Sequence, residues 1–207
     1  LTDNQTIAGV KTFSSDVFIN GLKVGRGNNN VASNTAVGAS ALQANTTGID
    51  NVALGNSALF SNTTGNENTA NGRSALQNNT IGNGNTANGR SALINNISGS
   101  NNSSNGSLSL NNNTTGSTNT ANGASSLRNN TTGSNNTADG FASGRYIADK
   151  ITNATILNNS TMLGVNTSPL GNNQTNQIAI GYEANGLGSN TSVLGNLSTL
   201  FARIWGR

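Results

Sequence analysis

Seven carboxylates supply the acid and base groups of this 207-residue chain, which contains neither histidine nor cysteine. Two of them, Asp50 and Glu67, occupy the same position in adjacent copies of a 17-residue repeat. Stacked strands would bring such residues to within about 5 Å, a separation that suits glycoside hydrolysis. We expect this position to lie on an outer turn without a groove, so we predict no enzymatic activity. Polysaccharide degradation remains a remote alternative.

The sequence also contains few residues of the types that bind metals or cofactors. Histidine and cysteine, the commonest ligands of transition metals, are absent from the sequence. A calcium-binding β-roll needs an aspartate in every repeat unit, and the aspartates here are too few. We therefore predict no catalytic, cofactor-binding or metal-binding residues.

One 17-residue unit recurs between residues 34 and 140 without insertion or deletion. In its first six copies the third and eighth positions are Ala or Ser, the fifth and fifteenth are Gly, and the ninth is Leu. The copies begin at Asn34, Asn51, Asn68, Asn85, Asn102, Asn119 and Asn136. A period this short and strict predicts a solenoid.

The two glycine positions indicate two places per coil where the backbone needs a positive φ or a close approach. Two turns leave room for two short strands, so we predict an all-β fold, a parallel β-solenoid or β-roll with Leu in its interior. Stacked Asn and Thr side chains would then bond along the axis. An antiparallel meander with Asn-Gly turns is the alternative, but the runs between turns rarely alternate apolar and polar residues.

Each coil offers one Leu and two small residues to an interior, which is little apolar surface for 17 ordered residues. Association of several copies would bury a second face, so we predict a homotrimeric fibre with intertwined or side-by-side chains. The fourth position is the candidate contact, and it changes from Val37 and Leu54 to Asn in later copies and then to Asp139. An exposed turn residue before Gly is an equally good interpretation of this position.

Residues 1–33 and 141–207 lie outside the regular repeat. We interpret 1–33 as a connector with short β-hairpins, because Asn20-Gly21 between apolar runs is a strong hairpin signal. In 141–207, a transition segment precedes a looser, irregular β-roll whose apolar-Gly steps recur at spacings of 17 and 14 residues. Because the first residue is Leu1, we expect a fragment or processed part of a longer chain.

Composition excludes several function classes. About a fifth of the chain is Asn, 8% is charged and the net charge is +3, which is too small and scattered for a nucleic-acid interface. No apolar run approaches about 18 residues, so we expect no membrane insertion. Thr pairs such as Thr46-Thr47 make a repeated hydroxyl stripe, which leaves an ice-binding solenoid as a remote alternative.

The Ser-Val-Ala-Ile-Gly repeat of YadA-like trimeric adhesin heads resembles three units of this chain: Thr35-Ala-Val-Gly38, Ile178-Ala-Ile-Gly181 and Ser192-Val-Leu-Gly195. The resemblance implies a left-handed parallel β-roll with three chains packed side by side. The longer coil and the Asn residues at the fourth position depart from the family pattern. Bacteriophage tail-fibre segments resemble the two ends of the chain, Asn4-Gln-Thr-Ile-Ala-Gly-Val-Lys-Thr-Phe13 and Leu194-Gly-Asn-Leu-Ser-Thr-Leu-Phe-Ala-Arg-Ile-Trp-Gly206.

Together the resemblances imply a structural shaft of a phage or phage-like tail fibre, which attaches to a host-cell receptor, either a glycan or a surface protein. Its location would be extracellular, on a virion tail appendage beside other tail or fibre proteins. A bacterial cell-surface adhesin head is the alternative, and a polysaccharide-degrading tailspike is a remote one. Tyr182 and Trp205 are the predicted receptor contacts, since recognition relies on a few large anchors. They could instead cap the solenoid.

Overall fold

The computed structural model describes residues 15–20, 22–196 and 198 of the chain. These residues form fourteen short β-strands and one 3-10 turn, Asn28–Asn30. The strands are β1 (Val17–Ile19), β2 (Leu22–Gly25), β3 (Thr35–Val37), β4 (Val52–Leu54), β5 (Thr69–Asn71), β6 (Thr86–Asn88), β7 (Ser103–Asn105), β8 (Thr120–Asn122), β9 (Thr137–Asp139), β10 (Leu157–Asn158), β11 (Thr161–Leu163), β12 (Gln174–Thr175), β13 (Ile178–Ile180) and β14 (Ser192–Leu194). No helix in this part of the chain has the length and apolar character that crossing a bilayer requires.

Twelve of these strands form one sheet, which is parallel from β3 to its last strand, β14. Each strand of the regular repeat pairs with its counterpart one coil away, as Thr69 pairs with Thr86 and Ala70 with Ala87. The chain therefore winds about nine stacked turns of about 17 residues. The predicted parallel β-solenoid is confirmed, and the antiparallel meander between repeats is wrong.

The second strand predicted in each coil is absent from the regular repeat, whose coils contain one three-residue strand each. The remaining residues turn because positive φ recurs at four positions per coil. In one coil these positions are Gly72 (φ 139°), Ser74 (φ 58°), Leu76 (φ 50°) and Gly84 (φ 64°). Strand residues need φ near −120°, so a left-handed residue at alternate positions bends the chain and ends any strand.

The interior of the regular coils consists of stacked Ala and Leu side chains. Ala70, Ala75 and Leu76 of one coil are fully buried, and the same positions are buried throughout the repeat. The buried leucines are Leu42, Leu59, Leu76, Leu93, Leu110 and Leu127. The predicted Leu interior is confirmed. Left-handed backbone at these leucines costs about 1–3 kcal/mol, and burying a Leu side chain offsets a similar amount.

Two ladders of buried Asn side chains run along the axis beside this apolar interior. In the first ladder, Asn68 Nδ2 donates to Asn51 Oδ1 of the preceding coil (3.1 Å) and to Gly82 O (2.8 Å). In the second, Asn79 Nδ2 donates to Asn62 Oδ1 (2.9 Å) and also to Gly82 O (3.0 Å). The predicted bonding of Asn side chains along the axis is confirmed.

The glycines at the fifth and fifteenth positions of each coil meet different geometric requirements. Gly72 has φ +139°, and a Cβ there would lie 2.6 Å from Gly89 O in the next coil. Gly82 needs no positive φ, but a Cβ would lie 2.4 Å from both Asn79 Oδ1 and Gly99 O. The first position therefore requires Gly for its backbone conformation and its close approach, and the second requires it for close approach alone.

The flanking segments continue the same sheet. Strands β1 and β2 form the predicted antiparallel hairpin, and Asn20 between them has φ 49°. The first part of the predicted connector, residues 1–14, lies outside the described residues. After residue 140, one coil contains a seven-residue insertion, so Thr131 N donates to Thr155 O across 24 residues. The spacing then returns to 17 residues between β11 and β13 and shortens to 14 between β13 and β14.

Candidate functional site

The outward-facing side of the twelve-stranded sheet carries one continuous row of side chains, here called the outer row. Its members are directly paired from strand to strand, so they point to the same face of the sheet. The outer row reads Val17, Val24, Val37, Leu54, Asn71, Asn88, Asn105, Asn122, Asp139, Leu163, Ile180 and Leu194. It is aliphatic at both ends and polar in the middle.

The aliphatic ends of the outer row are accessible in the single chain. Leu54 is 37% exposed, Ile180 36% and Leu194 47%. The fourth position of the repeat is the last residue of each strand. It does not lie in a turn, as the second of the two sequence interpretations required. The aliphatic start and polar continuation predicted for it are present. The motif units had aligned Ile180 and Leu194 with Val37, but their return to the same row after Asp139, through Leu163, was not predicted.

The polar middle of the outer row is internally bonded. Asn88 Nδ2 donates to Asn105 Oδ1 (2.8 Å), and Asn105 Nδ2 donates to Asn122 Oδ1 (2.9 Å). A third amide ladder thus runs along the outside of the shaft. Each bond uses one of the two N–H donors of an amide, so a partner that covers the row must accept from the remaining N–H groups.

A second exposed row broadens the aliphatic C-terminal end of the outer row. Phe141, Val165 and Tyr182 follow the fifth-position glycines of three successive coils, with Asn166 N donating to Phe141 O and Glu183 N to Val165 O. Phe141 is 54% exposed and Tyr182 is 62% exposed. Together with Leu163, Ile180 and Leu194 they form the C-terminal patch, an apolar surface of the kind that marks interaction sites.

The predicted receptor contacts meet different outcomes. Tyr182 is exposed and belongs to the C-terminal patch. Hydrogen bonding to Glu183 is the main cause that raises the pKa of Tyr182 above its ordinary value, and the negative charge of Glu183 adds to it. Trp205 lies outside the described residues. The structure therefore places one of the two residues on an accessible surface.

The seven-residue insertion folds into a small hairpin on the side of the solenoid. Its arms meet at a bridge between Tyr146 and Asn153, and Ile147 N donates to Thr152 O at 2.9 Å. Asp149 closes the turn by accepting bonds from the backbone N–H groups of Ile151 and Thr152, both at 2.8 Å. These bonds hold a predominantly polar loop in one conformation without a core of its own.

A cavity of about 170 Å³ opens where this hairpin meets the next two coils. Its lining consists of Ala142, Tyr146, Lys150, Asn166, Ser168 and Glu183. Lys150 Nζ donates to Asn166 O (2.7 Å) and Ser168 Oγ (2.8 Å). Partial burial lowers the pKa of Lys150, while the nearby charge of Glu183 opposes that shift. The cavity is called the hairpin cavity below.

Sequence reasoning missed the hairpin cavity, since its residues lie up to 41 positions apart between Ala142 and Glu183. The available signal was the seven-residue break in an otherwise strict period. A loop inserted into a solenoid must fold back on its neighbours or project into solvent. The sequence contains no further feature that would distinguish these two outcomes.

The described residues do not form a site for carboxylate catalysis, metal binding or ice binding. Asp50 and Glu67 are both exposed, on left-handed turn residues in adjacent coils. No group of three acidic, histidine or cysteine side chains within the described ranges could hold a metal ion. The threonine hydroxyls bond to the backbone of the next coil, as Thr63 Oγ1 does to Thr80 O at 3.0 Å. Thr80 and Thr114 line a groove together with Asn78, Asn95 and Asn112, which are not members of the outer row.

No family model, curated protein or solved structure matches this chain.

Proposed function

We propose that this chain is a structural segment of a homotrimeric attachment fibre, in which the outer row of each copy packs against the other two copies. The observation that carries the proposal is the outer row itself, with exposed aliphatic ends and an internally bonded amide centre. The host-facing role and the extracellular location rest on the resemblance to phage tail fibres and trimeric adhesin heads.

Packing of the outer row would supply what a single coil lacks. Each of the first six regular coils buries one Leu and two small side chains, Ala or Ser, while 17 residues lose their conformational freedom. Covering Leu54, Ile180 and Leu194 adds buried apolar surface at both ends of the shaft, at about 25 cal/mol per Å². In the middle, the bonds between Asn88, Asn105 and Asn122 persist on packing, and the second N–H of each amide would bond to the neighbouring copies.

A stiff solenoid shaft suits attachment because it holds a recognition surface away from the particle or cell that carries it. The phage tail fibre is our first assignment. The bacterial adhesin head is the second candidate, supported by the motif units Ile178–Ile180 and Ser192–Leu194, which form adjacent parallel strands in this chain. In both settings the chain would act as a binding and structural component, without catalysis.

The test measures oligomeric state and cell adhesion on the same purified samples. We expect a trimer by light scattering at micromolar concentration, and we expect Ile180→Lys to dissociate it because three ammonium groups would be brought into one interface. Adhesion should fall with it, since three linked sites bind more tightly than one.

Ile81→Lys is the matched control, because Ile81 is also exposed (52%) but lies on a turn outside the outer row. It should remain trimeric and adhesive. A monomeric wild-type chain, or equal dissociation by both substitutions, contradicts the proposal.

A further inference from the structure

The hairpin cavity combines the features of a small polar-ligand site. Its lining brings one aromatic ring, one cation, one carboxylate, an amide and a hydroxyl around a volume of about 170 Å³. Clefts for drug-sized ligands span about 300–1,000 Å³, so the hairpin cavity admits a single ring-sized group. We propose that it binds one neutral sugar unit of a glycan.

The aromatic part of the site is Tyr146. The guanidinium of Arg145 lies 4.6 Å from the centre of the Tyr146 ring, a cation–π contact that holds the ring in place. Arg145 does not line the cavity, whereas Tyr146 does. A sugar ring presents an apolar C–H face that packs on an aromatic ring, while the phenol hydroxyl remains free to bond at the rim.

The polar part of the site is the pair Lys150 and Glu183. An ammonium has three donors, and Lys150 uses two of them on Asn166 O and Ser168 Oγ. The Glu183 carboxylate also lines the cavity, and its oxygens can accept hydrogen bonds from a ligand. One donor of Lys150 and one acceptor of Glu183 therefore remain for a ligand.

The two charges face each other across the hairpin cavity without forming an ion pair. In the described part of the chain, the ammonium and carboxylate groups that lie within 4.0 Å of each other belong to Lys23 and Asp16 (3.0 Å). Lys150 and Glu183 do not form such an ion pair. A hydroxyl group can accept from an ammonium and donate to a carboxylate at the same time. Because the opposite charges balance, a neutral polyhydroxylated ring suits the site better than an acidic one.

This inference deepens the attachment role and rests on the proposed function for its setting, since the hairpin cavity and the C-terminal patch adjoin at Tyr182 and Glu183. Sugar binding would make the glycan the receptor class. The recognition surface would then lie on the side of the irregular coils and include a residue next to the predicted contact Tyr182.

The experiment titrates the full chain with methyl glycosides of glucose, galactose, mannose and N-acetylglucosamine, observed by saturation-transfer NMR. We expect transfer to the ring protons of at least one of them. Glu183→Gln should weaken its binding about tenfold or more, because a charge-assisted hydrogen bond is lost. Tyr146→Ala should have a similar effect, whereas Tyr146→Phe keeps the ring and should retain binding.

Glu67→Gln is the matched control, since it makes the same change on an exposed glutamate of the regular coils. It should bind sugar as the wild type does. The inference is overturned if no neutral glycoside binds, if binding survives both Glu183→Gln and Tyr146→Ala, or if methyl glucuronide binds while neutral glycosides do not. If Tyr146→Ala does not fold, the result of Glu183→Gln decides.

Light scattering on the same samples separates this inference from the proposed function. A trimer that binds no sugar overturns the sugar site alone. A monomer that binds sugar, with loss on Glu183→Gln, overturns the trimeric fibre alone.

Discussion

The regular coils of residues 34–140 and the irregular coils of residues 141–194 solve the same packing problem with different residues. In a regular coil the third position is small and the ninth is Leu, as in Ala70 and Leu76. In the coil after the insertion the third position is Met162 and the ninth is Ser168, both buried. The large side chain has moved from one side of the interior to the other, so the interior volume is kept by an exchange within the coil.

The amide ladders differ in the same way between the two regions. Asn136 is the last Asn of the first ladder, and Ser160 and Gln177 follow it in the same column. Gln177 is fully buried, and its Oε1 accepts bonds from Leu170 N of the preceding coil (3.1 Å) and from Gly188 N of its own coil (3.4 Å). Bonding between identical side chains of adjacent layers is thus replaced by bonding to backbone N–H groups, which does not require the same residue in the next layer.

The comparison shows that residues must repeat where side chains bond between adjacent layers. Winding the chain into coils does not by itself require the sequence to repeat. A regular column must repeat because each side chain bonds to its own copy one layer away. Where a buried side chain bonds to backbone groups instead, the next layer no longer dictates its identity. The insertion and the hairpin cavity lie in the region where this constraint has been removed.

The largest effect should come from placing a side chain at a stacked glycine. Gly72→Val puts a Cβ about 2.6 Å from Gly89 O on a residue with φ +139°, and we expect a loss of roughly 3 kcal/mol or more in the free energy of unfolding. Gly171→Val in the irregular coils is the control, since nothing lies within 4 Å of its Cβ position. It should change stability by less than about 0.5 kcal/mol.

Denaturant unfolding followed by circular dichroism measures both glycine variants. Equal stability losses at the two glycines would show that stacking distance does not distinguish the regular from the irregular coils.

A smaller effect should follow from breaking one inner ladder. Asn96 Nδ2 donates to Asn79 Oδ1 (2.7 Å) and Gly99 O (2.8 Å), and its Oδ1 accepts from Asn113 Nδ2 (2.8 Å). Asn96→Ala leaves buried groups without partners, and we expect a loss of at least about 2 kcal/mol.

Asn95→Ala is the control at the neighbouring position. Asn95 also belongs to a ladder, with bonds to Asn78 (3.2 Å) and Asn112 (3.3 Å), but it is half-buried and water can replace its partners. Its substitution should cost about 0.5 kcal/mol or less. If the two variants unfold at the same denaturant concentration, burial of the ladder is not what makes Asn essential in the regular coils.

The smallest effect concerns pH and is confined to the inserted hairpin. Bonds from the Thr152 side chain and from Ile151 and Thr152 N–H lower the pKa of Asp149. A lowered carboxyl pKa contributes stability that is fully present above the ordinary value, about 3.9, and is lost as pH falls through the lower folded-state pKa. We expect the protection factors of the Ile151 and Thr152 amides against hydrogen exchange to fall below about pH 4, while Leu76 and Leu93 remain protected.

Asp149→Asn is the companion variant for this pH measurement. This substitution should remove the pH dependence of the protection factors of Ile151 and Thr152. Simultaneous loss of protection in the hairpin and in the regular coils would show that the two regions do not open independently.

The repeat predicted the fold because its columns carry physical requirements that can be seen in one dimension. A strict 17-residue period with two glycines and one Leu per unit was sufficient for parallel coils, a Leu interior and amide ladders. The second strand was wrong because Ser74 and Leu76 adopt left-handed backbone, which residue type does not indicate. Among candidate site residues, Tyr182 was identified from its type alone, whereas Lys150 and Glu183 were not.

The sequence by itself determined the coil length, the identity of the buried Leu column and the position of the break after residue 140, because each depends on residues within a single period. The tertiary structure alone decided that Leu163 pairs with Asp139 across the insertion, so that Ile180 and Leu194 continue the row begun by Val37 and Leu54. It also decided that Lys150 lies against Asn166 and Ser168. Both outcomes depend on where an inserted loop returns to the stack, which is determined by contacts between coils and not by local spacing.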